Sequence, residues 1–224
     1  KKKLTRRQIK EDKLVTYYFK TTDYLRQNSR FLSSLIIGLA IIVFLTFLYA
    51  KNKSAKEENA AVELTKAKAE YFQKNYESAI KLLEDLVEEY GGTKSGTVGL
   101  YYLADAYFNL KKYEQAEQYF REYLDRGGDD ILEAASLSGL AACLEQKGQY
   151  LEAAKTYEKA AEKYKNSFLA PESLFNAARC YELAGEKELA KQKLKEILER
   201  YKDTNIKNDV EIYLAELSSQ TYKN

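Results

Sequence analysis

The chain has 224 residues, with 36 Lys and Arg against 34 Asp and Glu, two cysteines, one proline and no histidine. Without histidine there is no histidine-ligated metal site, no c-type haem attachment and no histidine-based acid–base or nucleophilic catalysis. The near-neutral balance of +2 hides an asymmetry: residues 1–30 hold ten basic residues against three acids, whereas residues 51–224 hold 26 against 31.

Residues 1–30 read as a basic arm carrying Lys1, Lys2, Lys3, Arg6, Arg7, Lys10, Lys13, Lys20, Arg26 and Arg30. Ile9, Val15, Tyr18, Phe19 and Leu25 fall loosely on one side of a helix. Such a helix suits the membrane interface or the cytoplasmic face of a partner. Anionic lipid head groups account for the charge better than nucleic acid does.

Residues 31–50, "FLSSLIIGLAIIVFLTFLYA", contain no charge. Twenty helical residues at 1.5 Å each match the thickness of a bilayer core, about 30 Å. The segment therefore predicts a single transmembrane anchor. The long preceding arm and the poor cleavage context of "LYAKNK" argue against a signal peptide. The positive-inside rule puts the arm in the cytoplasm and the remainder across the membrane. In a bacterium this is a single-pass inner-membrane protein with a periplasmic domain. Residues 51–56 read as a short linker.

From residue 57 the chain repeats itself. Ala79, Ala116, Ala153 and Ala190 stand 37 residues apart. Twelve places earlier come Ala67, Ala104, Ala141 and Ala178, and four places later Leu83, Phe120, Tyr157 and Leu194. A fixed period of this length means stacked supersecondary units. Each unit holds two runs of helical periodicity. Gly148 and Gly185 sit between the runs of the last two units, where a tight turn is needed. The expected fold is all-α: four helical hairpins over 57–203, then a capping helix near 208–219 and a tail within 204–224.

These residues carry a family resemblance. The small residue of the first helix, the Gly–x–Tyr turn, the alanine three later and the large apolar residue four beyond it resemble the tetratricopeptide repeat. Two departures stand out: Glu70 where repeat one would carry an aromatic, and Lys187 in place of the turn tyrosine in repeat four. The resemblance implies that the first helix of each pair lines an inner groove. It then places Leu64, Lys68, Tyr71, Phe72, Tyr101, Asp105, Phe108 and Asn109 there from repeats one and two. Ser138, Ala142, Glu145, Phe175, Arg179, Glu182 and Leu183 follow from repeats three and four. The first half of that face is aromatic and the second is charged.

Chemistry of other kinds is not visible. "YGGTKSGT" at Tyr90 lacks the spacing of a phosphate-binding loop. Cys143 and Cys180 occupy equivalent places 37 residues apart. Stacked helices would hold those places about 8–10 Å apart, beyond disulfide reach. The acidic pairs read as solvated faces, so no catalytic, cofactor or metal site is expected. A single anchor followed by repeats resembles the ancillary subunits found beside the bacterial Sec translocon. The expected function is a membrane-anchored, non-catalytic adaptor. It would serve either a translocon or a respiratory or photosynthetic complex, with other proteins as partners and no small-molecule substrate. The alternative is a holdase that takes unfolded clients in its groove.

Overall fold

The computed structural model describes residues 6–221, with side chains from 13 to 219. Lys1, Lys2 and Lys3 lie outside the described residues, and so do the side chains of Arg6, Arg7 and Lys10. Among the described residues there are ten α-helices and no strand. In order they are α1 (Arg6–Gln27), α2 (Ser29–Phe72), α3 (Tyr76–Tyr90), α4 (Lys94–Asn109) and α5 (Tyr113–Arg126). Then come α6 (Asp130–Gln146), α7 (Tyr150–Lys163), α8 (Ala170–Leu183), α9 (Lys187–Arg200) and α10 (Lys207–Thr221). The chain divides into two compact units, residues 1–54 and 55–224.

The first unit holds α1 and the apolar part of α2. Among the described residues one helix, α2, is long and apolar enough to cross a membrane, and its apolar window is not buried. Phe31, Leu35, Ile36, Phe44, Phe47 and Tyr49 are all exposed. Residues 51–56, expected as a linker, are helical, and the boundary between the two units falls within them. "KNKSAK" contains no proline or glycine to stop a helix, and lysine and alanine both propagate one. Along α1, Tyr17 and Tyr24 are exposed and stand across the helix from Val15 and Phe19 at 100° per residue. Its apolar residues are therefore not confined to the expected stripe.

The second unit is the repeat stack. The four alanines of the first helices (Ala67, Ala104, Ala141, Ala178) and the four of the second helices (Ala79, Ala116, Ala153, Ala190) all have 0% exposure. No side chain longer than a methyl would let the paired backbones approach as they do. Leu83, Phe120, Tyr157 and Leu194 fill the spaces between the hairpins and are buried with them in one continuous core. Cys143 and Cys180 are free and buried in that core, as small apolar side chains would be. Gly139 is needed where α6 crosses α5, because a Cβ there would stand 2.3 Å from the Phe120 ring.

All four hairpin turns share one geometry. Lys74, Lys111, Gly148 and Gly185 have φ of 64°, 60°, 75° and 85°. The amide after each donates to a carbonyl five residues back: Asn75 to Glu70, Lys112 to Tyr107, Gln149 to Leu144 and Glu186 to Tyr181. This is the Schellman termination of the first helix, which uses a left-handed residue to satisfy end carbonyls. Helix starts are secured by side chains. Thr93 accepts from the Gly96 amide at 3.0 Å, Asp129 accepts from Ile131 at 2.9 Å, and Pro171 lies in the first turn of α8. The last helix, α10, packs on α9 and buries Val210 and Leu217.

Candidate functional site: the face of the first helices

Every predicted inner-face residue lies on the end of α2 or on α4, α6 or α8, the first helices of the four pairs. They follow a register that the sequence did not reveal. A residue on one first helix meets the residue 34 positions later on the next. The Tyr71 hydroxyl donates to the Asp105 carboxylate. The Arg179 guanidinium donates to Glu145. At the far end the cap departs from this spacing: Tyr213 of α10, 31 positions on, donates to Glu182. Phe108 and Ala142 occupy the same pair of places in the middle, and both are half-buried against the core. Ser138 and Ser173 share a hydrogen bond at 3.0 Å.

The first half of this face is a connected set of rings. Tyr71 lies 5.3 Å from Phe72, 5.7 Å from Tyr76 and 5.2 Å from Tyr102. Tyr102 lies 5.2 Å from Tyr101, and Tyr101 reaches the core rings of Phe120 and Tyr123 at 6.3 and 6.2 Å. These pairs are edge-to-face or tilted, the arrangement favoured by the ring quadrupole. Tyr101 and Leu64 are half-buried and support the stack as much as they line its face. Phe72, by contrast, is 65% exposed. The Lys68 ammonium sits over Tyr102 and Phe72, 5.0 and 5.9 Å from their centroids. Asn109 donates to Asp105 at 3.0 Å. Burial raises the Asp105 carboxyl, outweighing the lowering effect of hydrogen bonds from Tyr71 and Asn109. Burial likewise pushes the Tyr101 phenol up to about 12.

The second half has already matched its charges. Glu145 holds Arg179 and lies 3.4 Å from the Tyr157 hydroxyl. Phe175 packs on Tyr213 with centroids 5.7 Å apart. Leu183 remains 54% exposed at the rim. Behind this face, carboxylates tie one helix to the next. Burial would raise Glu158, but hydrogen bonds from Lys193 and Tyr181 outweigh it and lower the carboxyl. The Arg200 guanidinium, 2.6 Å from Glu162, lowers that carboxyl in the same way.

Sequence reading missed three contributors. Tyr102 completes the ring set, and its only signal was its place beside Tyr101 in "GLYYLADAYF". Tyr213 belongs to the cap, outside the 37-residue phase. Glu57 accepts from the Lys94 amide at 2.7 Å and the Ser95 hydroxyl at 2.7 Å. It thereby caps α4 from another helix, a contact with no local sequence signature. Among the described residues, no three His, Cys, Asp or Glu side chains are placed to hold a metal ion.

A stack of four similar hairpins with one shared turn geometry and a recurring 34-residue register defines a helical-repeat protein. Models described as tetratricopeptide repeat match residues 61–93, 96–166 and 132–203, together more than half of the chain. The chain belongs to the tetratricopeptide repeat family, and that membership implies a scaffold for protein–protein interaction. Among solved structures, it is similar to nearly identical TPR-like repeats from Podosopora anserina described for a kinesin light chain. That match has 17% identity and a TM-score of 0.60, over 75% of this chain and 89% of the other. It is also similar to MamA, residues 41 to the end, from Desulfovibrio magneticus RS-1. There the identity is 14% and the TM-score 0.55, over 73% of this chain and 93% of the other. At these identities the likeness concerns the fold alone. No curated protein matches the sequence.

Proposed function

We propose that this chain is a non-catalytic adaptor anchored in a membrane by residues 31–50, whose repeats hold or position another protein. One observation carries the reading. The same chain joins an exposed, uncharged helical segment to a first-helix face that leaves aromatic side chains unburied. Large exposed apolar surface marks a place of contact with lipid or protein. The charge bias of residues 1–30 supports a cytoplasmic arm and repeats on the far side, which in a bacterium is the periplasm. The arrangement is similar to ancillary subunits of the Sec translocon, and it would equally suit an accessory subunit of a respiratory or photosynthetic complex.

The test is mild solubilisation of native membranes, purification, and mass spectrometry of what remains bound at fixed stoichiometry, with and without residues 1–50. The adaptor reading expects a defined partner set that depends on the anchor. A spread of sub-stoichiometric clients, unchanged by removing residues 1–50, would replace it with a holdase.

A further inference from the structure

We infer that Tyr71, Phe72, Tyr102 and Asp105 form a seat for a cationic side chain, lysine or arginine, of the bound polypeptide. This rests on the reading that the first-helix face takes a polypeptide, and it adds the chemistry of one contact. The ring pairs Tyr71–Phe72, Tyr71–Tyr102 and Phe72–Tyr102 meet edge to face at 5.3, 5.2 and 6.1 Å. An edge-to-face pair covers one ring face where a parallel stack covers two, so faces are left over, and a ring face attracts a cation.

The structure already contains one such cation. The Lys68 ammonium stands over Tyr102 and Phe72, and no carboxylate is within ion-pair distance of it among the described residues. The ring faces alone hold it. Its flexible stem lets the head swing back to water when another cation arrives.

Asp105 decides between a cationic occupant and an apolar one. Its side-chain bonds from Tyr71 and Asn109 both end on Oδ2, so Oδ1 is left to accept from a ligand. A neutral apolar group laid over these rings would bury Oδ1 further without a donor, which is costly. An anionic group would meet it with like charge. An ammonium or guanidinium does neither, and it would gain a charge-assisted hydrogen bond. The second half of the face offers no equivalent, because Arg179 and Tyr213 already occupy Glu145 and Glu182.

The experiment uses the full chain in lipid nanodiscs, labelled with fluorotyrosine, with the Tyr102 resonance assigned through Tyr102→Phe. Capped peptides Ala-Arg-Ala, Ala-Lys-Ala, Ala-norleucine-Ala and Ala-Glu-Ala are titrated by fluorine NMR. The arginine and lysine peptides are expected to shift Tyr102 and to bind about tenfold tighter than the norleucine peptide. Asp105→Asn and Phe72→Leu, each checked for unchanged helicity by circular dichroism, should each erase most of that difference. Lys68→Ser should tighten the cationic peptides. Equal binding of the norleucine and lysine peptides would overturn the seat while leaving the adaptor reading intact. So would binding of no peptide at all while a stoichiometric partner still co-purifies. If no peptide binds and no partner co-purifies, both fall.

Discussion

Repeats one and two differ from repeats three and four in how they fill the same places. In the first half, the pair 34 residues apart is Tyr71 with Asp105, surrounded by rings. In the second half it is Glu145 with Arg179, a closed ion pair. The turn residue is lysine in the first two hairpins and glycine in the last two, with the same left-handed backbone. A common scaffold thus leaves a ring exposed in one half, at Phe72, and closes an ion pair in the other. Periodicity sets where side chains meet, and residue type sets whether anything is left over.

Acid should separate the halves most sharply. In the second half Glu133, Glu158 and Glu162 are all lowered from 4.5, and so is Glu117 on α5, which Lys147 ties across to the third repeat. For Glu133 the leading cause is the hydrogen bond from Tyr164. A carboxyl lowered in the folded state stabilises above its unfolded value, and that contribution is lost as pH falls through the folded value. The first junction has one such group, Glu57, where hydrogen bonds outweigh the opposing effect of burial. Asp105 is raised instead, so its protonation relieves a burial penalty. Below about pH 4.5, amide hydrogen exchange should quicken in α8 and α9 before α3 and α4. Simultaneous exchange would break the comparison.

Tyr101→Ala comes next. It removes a half-buried ring packed on Phe120 and Tyr123 and should cost about 2–4 kcal/mol in urea unfolding. Phe72→Ala, on an exposed ring of the same set, should stay within about 0.5 kcal/mol. Equal costs would mean that Phe72 is structural. Glu145→Gln opens the closed half. It should cost about 1 kcal/mol, because Arg179 is 40% exposed and regains water. A loss as large as that of Tyr101→Ala would show the ion pair holding the stack. The smallest effect concerns the turns. Lys111→Gly removes left-handed strain at φ 60° and should stabilise by about 0.5–1 kcal/mol. Gly148→Lys should lose a similar amount.

The architecture was legible because repetition multiplies a weak local signal. One Ala–x–x–x–Leu spacing means little, but four copies at 37 residues specify paired helices, turns and the buried alanines. The turns were half legible: glycine announces a left-handed residue at 148 and 185, whereas Lys74 and Lys111 adopt the same backbone without announcing it. The helical state of residues 51–56 was not legible from the change of composition there, because nothing in those residues ends a helix. On the inner face, the side chains could be assigned from the period. Their pairing could not, because it depends on how far each hairpin slides past the next. That shift turned Arg179 and Glu145 from two candidate contacts into one closed pair.

The two cysteines give the second half a built-in reporter. Cys143 and Cys180 are both fully buried, and burial pushes each thiol up to about 12. Alkylation needs the thiolate in contact with reagent, so neither reacts until its hairpin opens. Repeats one and two carry alanine at the same place, Ala69 and Ala106. The rate of labelling therefore times the opening of the third and fourth hairpins alone. Mass spectrometry separates the two, giving a clock for each repeat in the unaltered chain.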